Sequence, residues 1–163
     1  MRKLAVLAIG VVIASSVGVV ESADWPGWRG PERDGWSASK GLNLDWSSSK
    51  PKLLWKAEGM GGGYASVSMN ATTIFSTGNI DGGQSVIAVS RKDGSPVWAK
   101  QLTADQKGLK HGYKGSRCTP TLDGEFLYAV MSDGTLACLK QSNGDVVWTK
   151  SLKKDFKGRM MSS

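Results

Sequence analysis

The chain has 163 residues and a formal charge of +7, with 21 glycines, seven tryptophans and two cysteines. That length suffices for one ordinary domain with a real core. The lysines are scattered through turns and strand ends, without an arginine-rich helix or interleaved basic and aromatic residues, which excludes a nucleic-acid binder and leaves a solvated surface.

The first residues read as an export signal, with Met1-Arg2-Lys3 as the basic start and an apolar run over 4–20. A cut after Ser22 puts Val20 and Ser22 at the small-residue positions, so 1–22 is assigned as the signal peptide. The same run is also compatible with a retained anchor, being long for a signal and short for a full span. No cysteine follows it, so a lipoprotein cysteine is not available. Export places the protein in the periplasm or at the cell surface, where Cys118 and Cys138 can form a disulfide.

Residues 23–51 form an irregular lead-in dense in Pro, Gly, Ser and Asp. They hold four tryptophans (Trp25, Trp28, Trp36 and Trp46), more than a disordered linker carries, so the segment is expected to lie pinned across a folded surface. Residues 52–163 read as a run of short strands. The expected strands are 53–57, 65–69, 72–77, 85–90 and 96–100, then 117–122, 126–131, 135–140 and 146–150. Asp-Gly and Asn-Gly pairs between runs of Val, Leu, Thr and Tyr mark tight hairpins, because such turns need positive φ. No window after the signal sustains a helical apolar stripe.

The strands repeat. Ser85 to Leu102 matches Thr135 to Leu152 at an offset of 50, and AVSRKDGSPVW is answered by CLKQSNGDVVW. Both copies place a small residue first, Gly seventh and Trp eleventh. Trp55, Trp98 and Trp148 lie 43 and 50 residues apart. A four-stranded unit recurring at this length is the signature of a propeller blade.

This pattern resembles the tryptophan-docking motif of quinoprotein-type, PQQ-like β-propellers. That superfamily includes pyrroloquinoline quinone-dependent alcohol dehydrogenases and the propeller lipoprotein of the bacterial outer-membrane assembly machine. The lead-in WPGWRGPERDG is similar to the opening of many exported members. The resemblance implies an all-β fold, here about two four-stranded antiparallel blades plus a preceding outer strand at 53–57, from an intact ring of seven or eight blades. The chain would then be an N-terminal fragment, with 53–57 completing the last blade. It further implies that Ala88, Gly94 and Trp98 form one docking motif and Cys138, Gly144 and Trp148 the next, each indole packing over the glycine turn of the following blade. Trp55 keeps only the tryptophan, since Asp45 and Pro51 replace the small residue and the glycine. Placed on a first and a third strand, the two cysteines stand roughly 10 Å apart, too far for a disulfide.

The resemblance divides on function. The leading expectation is a non-enzymatic binding or scaffold module for protein or polymer partners in the cell envelope, without a cofactor and without a stable membrane span after signal cleavage. The alternative is a PQQ-dependent alcohol or sugar dehydrogenase using Ca²⁺, whose cofactor site lies in other blades. The sequence shows no adjacent cysteine pair, and its turn aspartates are explained by the turns themselves. One polar constellation, His111, Tyr113 and Arg117, falls on a connection expected to border a channel mouth, where it offers ligand contacts. Its bland reading is an ordinary Gly-rich loop.

Overall fold

The computed structural model describes residues 24–47, 50–104 and 115–158. The proposed signal at 1–22, His111 and Tyr113 lie outside these residues. Two antiparallel four-stranded sheets follow each other along the chain. The first contains β1 (Ser68–Met69), β2 (Thr73–Ile80), β3 (Gly83–Ser90) and β4 (Pro96–Gln101). The second contains β5 (Thr121–Asp123), β6 (Phe126–Val130), β7 (Thr135–Lys140) and β8 (Val146–Ser151). Each sheet orders its strands as they occur in sequence. A single helical turn, α1 (Leu152–Asp155), ends the described chain; Ser151 Oγ accepts from Lys154 N, and Asp155 returns a carboxylate to Ser151 N.

Turn chemistry sets the register. Asp81 and Gly82 join β2 to β3 with φ of 49° and 84°, the double positive φ that a tight primed hairpin needs. At the β3–β4 corner, Gly94 takes φ 72°, and Gly144 takes φ 74° at the β7–β8 corner. Both corners carry a register shift, between Ala88 and Val89 and between Cys138 and Leu139. The bulge is therefore repeated along with the sequence.

The sheets come closest at β1 and β5. Phe75, Val86 and Ala88 of the first sheet and Leu127, Ala129, Ala137 and Leu139 of the second form one buried cluster, with Trp98 packed against it. Each of these seven side chains is essentially inaccessible to water. Stacking two sheets over such a core is the way a sheet buries its apolar face.

Several expected elements shift. The first strand of each sheet is shorter than expected: pairing begins at Ser68 and at Thr121. Residues 65–67 and 117–120 are outside any strand. Residues 53–57 have no ladder partner among the described residues, although Trp55 and Ala57 lie against Gly94. Among the described residues of the lead-in, only the end near Trp25 is pinned. Trp25 forms two main-chain hydrogen bonds with Met69, and Pro26 O accepts from Leu122 N at 2.7 Å. Trp28, Trp36 and Trp46 are exposed, so the tryptophan count overstated how much of this segment packs down.

Candidate functional site

Of the six repeat-motif residues, Trp98 and Gly144 meet at the boundary between the sheets, whereas Gly94 lies under Trp55. Ala88 faces Trp98 across β3 and β4, and Cys138 faces Trp148 across β7 and β8. In each row the small residue keeps the third strand low beneath the indole. The Trp98 ring then lies on the next glycine corner: a β-carbon on Gly144 would stand 2.6 Å from the indole. The Trp98 Nε1–H donates to Gln141 O at 3.0 Å, and the ring also meets Phe75 with centroids 5.9 Å apart. A bare glycine in left-handed backbone thus serves the turn and the contact together.

Trp55 makes the same contact one unit earlier. A β-carbon on Gly94 would lie 2.7 Å from its ring. Sequence reasoning had left Trp55 with only a remnant of the pattern; the 43-residue spacing to Trp98 was the signal that located it. Trp25 repeats the arrangement locally over Gly30. Trp148, by contrast, is 38 % exposed, with Tyr128 beside it at 6.1 Å and no glycine corner beneath it among the described residues.

Two glutamines that the sequence did not single out tie the sheets together. Gln141 accepts from Asn70 Nδ2 at 2.8 Å and donates to Phe126 O and Gly124 O. Buried Gln84 donates to Ser132 Oγ and accepts from Ser132 N. Nothing in their local sequence marks them, because their partners are some 50 to 70 residues away.

Arg117 is exposed and follows Ser116, which sits in a seam of close backbone approaches. Tyr64 N donates to Ser116 O, Ser116 Oγ donates to Thr77 Oγ1, and Thr77 Oγ1 donates to Cys118 O at 2.6 Å. A β-carbon on Gly78 would stand 2.1 Å from Met60 O, and one on Gly63 2.5 Å from Ser116 O. The seam fixes the start of the second sheet's first strand. It brings Arg117 to its rim, while its companions His111 and Tyr113 fall outside the described residues.

An open cleft of about 580 Å³ runs between the lead-in and the second sheet, lined in part by Trp28, Arg33, Thr121, Asp123 and Tyr128. The repeat explains its character. Thr121 and Tyr128 occupy the register positions of Ser68 and Phe75, which the second sheet buries completely. The cleft is the uncovered counterpart of an inter-sheet face, and the Tyr128 phenol is pushed above its usual value chiefly by desolvation.

The remaining polar chemistry is structural. Ser95 hydroxyl and amide bonds hold the Asp93 carboxylate down at about 2. Cys118 and Cys138 are free thiols. Burial pushes the Cys118 thiol up, against the opposing hydrogen bond from Val130 N. No three His, Cys, Asp or Glu side chains converge among the described residues.

Residues 36–162 match a family model described as outer membrane protein assembly factor BamB. Among solved structures, the crystal structure of BamB from Moraxella catarrhalis is similar at 16 % identity and a TM-score of 0.47, over 61 % of this chain. The match spans 28 % of that structure's length. No curated protein matches the sequence.

Proposed function

The chain belongs to the family described as outer membrane protein assembly factor BamB, and on that premise we propose that it is a binding or scaffold module in the cell envelope, with protein partners. It is a PQQ-like β-propeller repeat protein. The observation that carries the reading is the joint between its blades: Trp98 lies on Gly144 while Gln141 and Gln84 tie turn to turn. Such a joint makes a rigid stack whose loops and faces hold fixed relative positions, as a scaffold requires. In this reading Ala88, Gly94, Trp98, Cys138, Gly144 and Trp148 are inter-blade clamps rather than ligand contacts. Arg117, with His111 and Tyr113, is left as the candidate partner-facing rim. Export through residues 1–22 to the periplasm or cell surface belongs to the same proposal, as does the absence of enzymatic activity.

The test uses the organism that carries the protein. Its removal is expected to lower the amount of folded outer-membrane β-barrel protein, with restoration by the wild-type copy. The purified protein, supplied with PQQ and Ca²⁺, is expected to leave dye reduction by alcohols unchanged. Unchanged β-barrel levels on removal, or alcohol-dependent dye reduction, would overturn the scaffold reading.

A further inference from the structure

We draw no further inference here: the strongest candidate, the open cleft between the lead-in and the second sheet with exposed Trp148 against its Tyr128, is the uncovered inter-sheet face already described, and nothing in the structure shows what covers it.

Discussion

Replacing Trp98 by Ala tests whether the indole-on-glycine contact holds the two sheets together. A buried indole removes 150–250 Å² from water, and at about 25 cal/mol per Å² that amounts to roughly 4–6 kcal/mol. Trp98 is half-buried, so its loss is expected to cost about 3 kcal/mol, the lower end of the range for core Trp→Ala changes. That includes the hydrogen bond to Gln141 O. Trp148 occupies the same register without a glycine corner beneath it among the described residues, and Tyr128 is its aromatic neighbour. Trp148→Ala is therefore expected to cost about 1 kcal/mol, the worth of one aromatic pair. Urea unfolding followed by circular dichroism, with m-values compared to confirm a common transition, measures both. The Gly144→Ala variant completes a cycle. Its added methyl group meets the indole and an unfavourable positive φ, so part of its cost disappears once Trp98 is already Ala. Equal losses for the two tryptophans, or strict additivity of Trp98→Ala with Gly144→Ala, would refute the contact as the source of the stability.

Other outcomes follow from single features. Gln141→Ala strands Asn70 Nδ2 at the sheet boundary and removes three hydrogen bonds, and is expected to cost about 1–3 kcal/mol in the same unfolding assay. Gly78→Ala drives a methyl group into Met60 O and should abolish cooperative unfolding or lower the melting temperature sharply. With its folded value depressed to about 2, Asp93 contributes stability that is present above the ordinary carboxylate range and lost as pH falls toward 2. Asp93→Asn is therefore expected to flatten the acid side of the melting-temperature profile relative to the wild type. Both thiols should react slowly with Ellman's reagent in the native protein and promptly in denaturant, since Cys138 is buried and the Cys118 thiol is raised by burial; a fast native phase would contradict this.

The repeat was legible because its determinants are local. Asp81-Gly82, Gly94 and Gly144 announce their turns through residue type alone, and the continuous apolar runs of β3 and β7 mark interior strands. The match between the two motifs supplied the bounds of β3, β7 and the outer strands β4 and β8 to within two residues. What stayed hidden depends on partners distant in sequence. Gln84 and Gln141 look like any polar turn residues until the second sheet brings Ser132 and Asn70 beside them. The short first strands were overestimated because pairing at Ser68 and Thr121 is limited by the glycine seam of residues 61, 63, 78 and 115, where backbone approaches backbone without room for side chains. The lead-in tryptophans misled in the opposite direction. Residue type showed that they seek an apolar contact but not which surface provides it, and of the four only Trp25 lies over a left-handed glycine within the described residues. The same physical rule thus accounts for the success at Trp98 and the error at Trp36 and Trp46. An indole is structural where a bare glycine corner lies under it, and where none does it remains available for another surface.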